Sequence, residues 1–337
     1  MASAPTLDFE RIVDVLKALA EPTRLRLAMV LKSCDLTVSE LTTILGQSQP
    51  RISRHLKLMS ECGVLERYQE GAFAYFRVAD RHPAGILARS LETGIEVDDA
   101  IIRKDRERLE EVRADRARRA ADYFARNAEH WDKIRALHVP DAEIAAALDR
   151  VLGKQRIGTM LDIGTGTGRM MEMLANRCER MLGVDTSREM ISAARAKLDD
   201  AKVKNAQLRV GDAYNLPANG ETYDLVVLHQ VLHYLDEPMR AVREASSVLA
   251  PGGRLVIVDF APHEMEFLRT EHAHLRLGFP EDSLKSFLDE AGLETRAVEH
   301  LRSGAAETGG LTVTICIGQD RRMLLAPDEV YPSMAVA

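Results

Sequence analysis

The stretch Thr159-Met160-Leu161-Asp162-Ile163-Gly164-Thr165-Gly166-Thr167-Gly168 decides how the larger part of this chain folds. Thr159 to Ile163 read as a short apolar strand, and Met170, Met171 and Leu174 read as a helix beyond the turn. Glycine at every second position lets the backbone turn sharply and lets a ligand approach without meeting a Cβ. The N-terminus of the helix that follows favours an anionic group such as a carboxylate. A nicotinamide-dinucleotide loop has G-x-G-x-x-G spacing, whereas the third glycine here arrives one residue early.

The same pattern of strand, turn and helix continues outward. Met181-Leu182-Gly183-Val184 is a second strand, and it ends in Asp185, a carboxylate placed to accept hydrogen bonds from a ribose diol. Gln207-Leu208-Arg209-Val210 runs into Gly211-Asp212-Ala213, and Tyr223 to Leu228 runs into His229-Gln230-Val231-Leu232-His233-Tyr234. Arg254 to Asp259 follows Leu249-Ala250-Pro251-Gly252-Gly253, and Leu311 to Ile317 suits a late antiparallel strand. Strands alternating with helices predict an α/β domain, doubly wound around a mostly parallel sheet, over residues 120–318.

Asp162-x-Gly164-x-Gly166-x-Gly168 and the four ordered motifs after it resemble the class I methyltransferases that use S-adenosylmethionine (SAM). Among these, the ubiquinone/menaquinone-biosynthesis type is the nearest likeness. The resemblance implies a site for SAM, or for its product S-adenosylhomocysteine (SAH), and no metal. That site draws on Asp162, Gly164, Thr165, Gly166, Gly168, Asp185, Thr186, Met190, Gly211, Asp212, Ala213 and His229. Within it, Asp212 and the Ala213 backbone are expected at the adenine. The Asn-Pro-Pro-Tyr type of signature of amine methyltransferases is absent, with Leu228-His229-Gln230-Val231 in its place.

Catalysis is not decided by this pattern, because displacement on a sulfonium needs chiefly alignment, plus a base when the acceptor must lose a proton. His229 and His233 are four residues apart and share a face if they stand on a helix. Two readings stand for them: base or substrate contact, or histidines that merely line a cleft. Tyr123, Phe124 and Trp131 suit either a core or a cover over the methionine end of the ligand. His263, Glu264, His272 and His274 form a second polar cluster. His272 and His274, two apart, diverge on a strand or a helix and chelate poorly, leaving a substrate or lid role open.

Before this domain, Val38, Leu41, Ile44 and Leu45 recur at helical spacing up to Gly46. Ser48 can cap a second helix in which Ile52, Leu56 and Met59 share one face, with Arg51, Arg54, His55 and Lys57 largely off it. Leu65 to Val78 then reads as a hairpin turning at Glu70-Gly71-Ala72. This is a winged helix-turn-helix, expected over residues 1–92. Ser48, Gln49, Arg51, Ser53, Arg54, His55 and Lys57 are its candidate DNA contacts on the helix, and Arg67, Tyr75 and Arg77 those on the wing.

Ala20-Glu21-Pro22-Thr23-Arg24-Leu25-Arg26-Leu27 and Gln47-Ser48-Gln49-Pro50-Arg51-Ile52-Ser53-Arg54-His55-Leu56 resemble the ArsR/SmtB family of winged-helix repressors. The family implies a homodimer, a palindromic double-stranded operator, and release when an inducer binds. Many arsenic-sensing members carry two cysteines in the helix before the turn. Thr37 and Ser39 hold those positions here, and hydroxyls cannot replace soft thiolates. His82 alone does not rebuild the alternative site of Asp and His residues.

Residues 93–119 are dense in charge, lack Gly and Pro after Gly94, and read as a helical connector, either a lever or a solvated spacer. A flexible tail is expected over residues 319–337. Of the net charge of −7, residues 1–120 carry 20 Lys/Arg against 19 Asp/Glu, and residues 121–337 carry 25 against 33. DNA contact therefore has to come from a local patch. No apolar run of about 18 residues predicts a membrane span, no basic and apolar leader opens the chain, and Cys34, Cys62, Cys178 and Cys316 form no CxxC pair. A cytoplasmic location with free thiols is expected. The combination reads as a transcriptional regulator that senses SAM or SAH, plausible targets being genes of the methionine cycle. Alternatives are an active small-molecule methyltransferase with an autoregulatory head, and an enzyme that targets DNA or protein.

Overall fold

The computed structural model describes residues 6–32, 34–70, 73–79, 82–91, 94–95, 99–128, 140–217, 220–302 and 311–322. The chain divides into two compact units, Met1–Tyr123 with His263–Leu277, and Phe124–Pro262 with Gly278–Ala337.

In the first unit, α1 (Phe9–Leu19) starts at Asp8, whose carboxylate accepts from the Arg11 N–H, and α2 (Pro22–Leu31) starts on a proline that has no N–H to satisfy. After the short β1 (Leu36–Thr37), α3 (Val38–Leu45) opens on a capping box between Thr37 and Glu40 and is stopped by Gly46 at φ 65°. The hydroxyl at the first of the two thiol positions thus serves the helix as its cap. α4 (Gln49–Glu61) follows three residues later, and although Ser48 is its N-cap, the side chain makes no capping bond. β2 (Leu65–Glu70) and β3 (Phe73–Val78) pair antiparallel, and β1 adds to the far side of β3. Leu27, Leu36, Leu41, Ile44, Ile52, Leu56 and Met59 are sealed from water beneath the helices. Burying each such side chain contributes about 1.5–3 kcal/mol.

α5 (Pro83–Leu91) precedes α6 (Ala100–Asn127), which overruns the expected connector at its C-terminal end. Nor is it a spacer. Leu109 joins the N-terminal core, Val112 packs against that core, and Arg108 donates to the Ile44 carbonyl at 3.1 Å. Arg26 grips Asp105 with two bonds of 2.6 Å, and the Asp105 side chain is only 4% exposed. Charge density suggested solvent, but several of these charges are spent on partners within the head.

The second unit is a seven-stranded mixed sheet whose strands lie in the order Ala206–Val210, Cys178–Asp185, Ile157–Ile163, Tyr223–His229, Leu249–Phe260, Thr312–Asp320, Leu293–Arg302. After α7 (Asp141–Leu152), β4 (Ile157–Ile163), β5 (Cys178–Asp185), β6 (Ala206–Val210), β7 (Tyr223–His229) and β8 (Leu249–Phe260) run parallel. Between them come α8 (Arg169–Leu174), α9 (Arg188–Asp200), a 3-10 turn (Leu232–Tyr234) and α10 (Pro238–Ser247). β10 (Thr312–Asp320) lies antiparallel between β8 and β9 (Leu293–Arg302), as the late strand was expected to do. β9 carries no strand signal in the sequence, because in Leu-Glu-Thr-Arg-Ala-Val-Glu-His-Leu-Arg only Leu293 and Leu301 are buried. β10 also outlasts the expected boundary at Gly318, as Gln319 pairs with Arg254 and Asp320 with Leu293. Residues 323–337 of the expected tail lie outside the described residues. Among the described residues the last helices are α11 (Phe267–Glu271), within the first unit, and α12 (Glu281–Glu290).

Two outcomes test this packing. Asp105→Ala leaves Arg26 without its buried counter-ion and lowers the stability of the first unit by about 3–5 kcal/mol, read as an earlier unfolding transition in urea. An unshifted transition refutes the pairing. Gly164 sits at φ 68°, and a Cβ there would lie 2.4 Å from Val231 Cγ2. Gly164→Ala therefore costs the second unit about 1–3 kcal/mol, of which Val231→Ala restores the steric part and not the backbone part.

Candidate functional site

At the C-terminal ends of β4, β5, β6 and β7 the second unit opens into a pocket with about 820 Å³ of empty space, mouth included. Ligand sites in open α/β sheets occupy this edge. Gly164, Thr165, Gly166, Asp185, Thr186, Met190, Gly211, Asp212, Ala213 and His229 all line it, so ten of the twelve expected residues converge on one cavity.

The other two stand behind the wall. Asp162 is 1% exposed, and its Oδ2 accepts from the Thr165 hydroxyl at 2.7 Å, tying the loop to the strand below. Gly168, at φ 78°, faces Ala194 and Leu198 of α9. Both shape the turn without touching the cavity, and a motif alone does not separate wall from buttress.

Asp185 joins the loop to the next strand. Its Oδ2 accepts from Gly166 N at 2.9 Å and its Oδ1 from Ser187 N at 2.9 Å. Burial pushes its carboxyl above the ordinary range, and the backbone N–H groups of Ser187 and Gly166 pull partly against that. Asp212 accepts from Tyr214 N at 3.0 Å through Oδ1. Gly183 and Gly211 have no room for side chains, since a Cβ would come within 2.6 Å of Met171 Sδ in the first case and 2.7 Å of Val184 Cγ1 in the second.

The two candidate histidines do not share a helix face. His229 ends β7 and lines the pocket, whereas His233 lies in the 3-10 turn, fully buried, with Nδ1 2.7 Å from Asp259 Oδ1. A four-residue spacing brings side chains together only where the chain is helical, and here the strand ends between them. At that break Gln230 adopts φ 53°, a left-handed conformation unusual outside glycine, and donates its N–H to the Val258 carbonyl at 2.7 Å. Gln230, Val231, Tyr234 and Leu235 line the cavity although none was expected as a site residue. Arg169 lines it too, held by Asp141 at 2.8 Å and Glu172 at 2.7 Å. Position was its only sequence signal, directly after the last loop glycine.

The aromatics separate. Phe124 lines the pocket and meets Tyr234 edge-on at 4.8 Å between centroids. Tyr123 is buried in the other unit, its hydroxyl 2.6 Å from His272 Nδ1, and burial pushes its pKa up to about 12. Trp131 lies outside the described residues. Among the described residues no cysteine lines the pocket, and burial pushes the Cys178 and Cys316 thiols up to about 11.

In the first unit, Ser48, Gln49, Arg51, Ser53, Arg54 and Lys57 are exposed on and just before α4. Arg51 also reaches Thr23 Oγ1 at 3.3 Å. His55 is half-buried 3.8 Å from Glu21, and burial pushes its pKa down. Arg67 is exposed on β2. Tyr75 and Arg77 occupy the outer face of β3 and are engaged there. Tyr75 stacks on Tyr68 at 5.7 Å and takes a bond from Arg269, and Arg77 pairs with Glu66 at 2.7 Å.

Residues 161–257 match the methyltransferase-domain family, and residues 21–67 match the arsR family of bacterial regulatory proteins. One similar protein is YcgJ, an uncharacterized methyltransferase of Bacillus subtilis, 30% identical over 106 residues that cover 31% of this chain and 42% of the relative. Another is an arsenite methyltransferase of Halobacterium salinarum, 31% identical over 145 residues, 40% of this chain and 37% of the relative. The chain thus spans about two fifths of the length of these relatives. Among solved structures, a chain from the complex of the Trm112 methyltransferase activator with a methyltransferase of Haloferax volcanii superposes with a TM-score of 0.50. It is 22% identical and covers 60% of this chain and 98% of its own, a likeness of fold alone. With the glycine turn, the strand order and both family matches in hand, the chain is a fusion of an arsR-family helix-turn-helix to a class I methyltransferase domain.

Proposed function

We propose that this protein is a DNA-binding transcriptional regulator, a repressor, whose methyltransferase domain binds SAM or SAH and converts that binding into a change in operator affinity. The observation that carries the reading is the convergence of the loop residues Gly164 to Gly166, Asp185, Asp212 and Ala213 on one cavity. The fit to an adenosyl ligand is physical. The turn has open backbone where side chains would block it, Asp185 offers a carboxylate to two ribose hydroxyls, and Asp212 with Ala213 stands where the adenine would lie. In this reading Gly164, His229 and Val231 would hold the methionine portion. SAM, when bound, supplies an activated methyl group, and the chain's own residues bind and orient it.

On the DNA side, the exposed row Gln49, Arg51, Ser53, Arg54 and Lys57 would enter a major groove, with Arg67 at a phosphate. A homodimer on a palindromic site is the expected assembly, and genes of the methionine cycle are the proposed targets, from the ligand alone. The ligand acts only through a difference in affinity between conformations, and about 1.4 kcal/mol of difference changes operator affinity tenfold. The proposed division keeps α6 as far as Tyr123 with the DNA-binding head, in place of a free connector.

A second reading is favoured by His229 and by the left-handed Gln230 at the pocket wall, since strained backbone gathers at reacting sites. In it the protein is an active small-molecule methyltransferase with an autoregulatory head. Labelled SAM incubated with a metabolite extract separates the two, steady methylated product favouring the enzyme.

Titration calorimetry with SAM and SAH tests the site, and Asp185→Ala should weaken binding at least tenfold. The ionised carboxylate accepts the ribose hydroxyls, so affinity should fall as pH drops through the raised pKa of Asp185, and Asp185→Asn should lose that dependence. No heat with either nucleoside from folded protein refutes the reading. Arg51→Ala with Arg54→Ala should weaken binding to duplex DNA and reduce its salt slope by about two.

A further inference from the structure

Residues 263–277 interrupt the methyltransferase domain between β8 and α12, yet they belong to the first unit and lie on its wing. The segment is closed at its base by the His263 N–H to Leu277 carbonyl bond at 3.0 Å, and Leu268, His274 and Leu277 are buried. Its two arginines point into the head. The Arg269 guanidinium lies 5.3 Å from the ring centres of both Phe73 and Tyr75 and donates to the Tyr75 hydroxyl. Arg276 reaches Asp35 Oδ2 at 3.1 Å, the atom that also accepts from the Tyr68 hydroxyl at 2.7 Å. His272 meets the Tyr123 hydroxyl at 2.6 Å.

Strand alternation gives these contacts their meaning. Ala74, Phe76 and Val78 face the core, so Phe73, Tyr75 and Arg77 form the outer face of β3, with Glu66 and Tyr68 opposite them on β2. That face carries two of the three side chains expected to hold DNA from the wing. The arginines that cover it are only 11% and 13% exposed, whereas Glu264 and Glu271 of the same segment are exposed. The segment thus buries positive charge against the wing and turns carboxylates to solvent, where a phosphate backbone would need cations.

We propose that residues 263–277 and the phosphate backbone of duplex DNA compete for the outer face of the wing, the segment acting as a built-in occupant that DNA must displace. This rests on the DNA-binding reading of the head. Arg269 and Arg276 are then locks and not DNA contacts, and the two roles predict opposite signs.

The test uses the full chain and a fluorescent mixed-sequence duplex at low salt, read by anisotropy. Arg269→Ala with Arg276→Ala removes two positive charges, and the proposal nonetheless expects binding at least fivefold tighter. Glu264→Gln with Glu271→Gln, which leaves the packing intact, should tighten binding to a smaller degree. In the unaltered protein, saturating duplex should speed amide hydrogen exchange in residues 263–277. Unchanged or weaker binding by both variants, or slowed exchange in the segment, overturns the competition while leaving DNA binding by the head in place. Failure of every form to bind duplex overturns the DNA-binding reading and the competition together.

Discussion

The reach of one carboxylate across two strand ends organises the methyltransferase half. Asp185, at the end of β5, accepts the Gly166 N–H from the loop that follows β4, and its other oxygen turns the chain through Ser187 into α9. Two neighbouring crossovers are thereby held at one point, and the cavity exists between them. The arrangement puts a partly desolvated anion beside backbone that has no side chain in the way. Such a carboxylate is held at a cost that only hydrogen-bond donors repay, and the backbone N–H groups of Ser187, Gly166 and Thr186 already supply them.

The parts of the fold that were legible in the sequence are those in which local chemistry and burial agree. β4, β5, β7 and β8 are apolar because their central positions are buried, and Gly164, Gly166 and Gly168 all have positive φ, as a loop of that spacing requires. The capping box at Thr37 and Glu40 and the stop at Gly46 are equally local, so α3 and α4 could be read with their turn. β9 could not, because an edge strand with a solvated face carries little apolar signal, and its existence depends on pairing with β10.

The site was legible as a set of motifs and less so as a surface. Backbone loops announce themselves through glycine, but whether Asp162 lines a wall or supports it depends on which way a buried side chain turns. The separation of His229 from His233 depends on a change of conformation at Gln230, where no glycine or proline marks the break. Lining residues supplied by distant segments, Phe124 among them, carry no local signature at all. The wing shows the same limit in reverse. Tyr75 and Arg77 stand where a phosphate contact would be looked for, and the side chain that engages Tyr75 belongs to a stretch almost two hundred residues onward.

The clamp of Arg26 on Asp105 bears on where such a two-part chain divides. A head ending near residue 92 would keep a buried guanidinium with no carboxylate and would lose the Leu109 side chain from its core. A stable head therefore has to include the first turns of α6. The seam between the two halves is better sought inside that helix or after it than in the loop before it. Transplanting this head onto another body obeys the same rule.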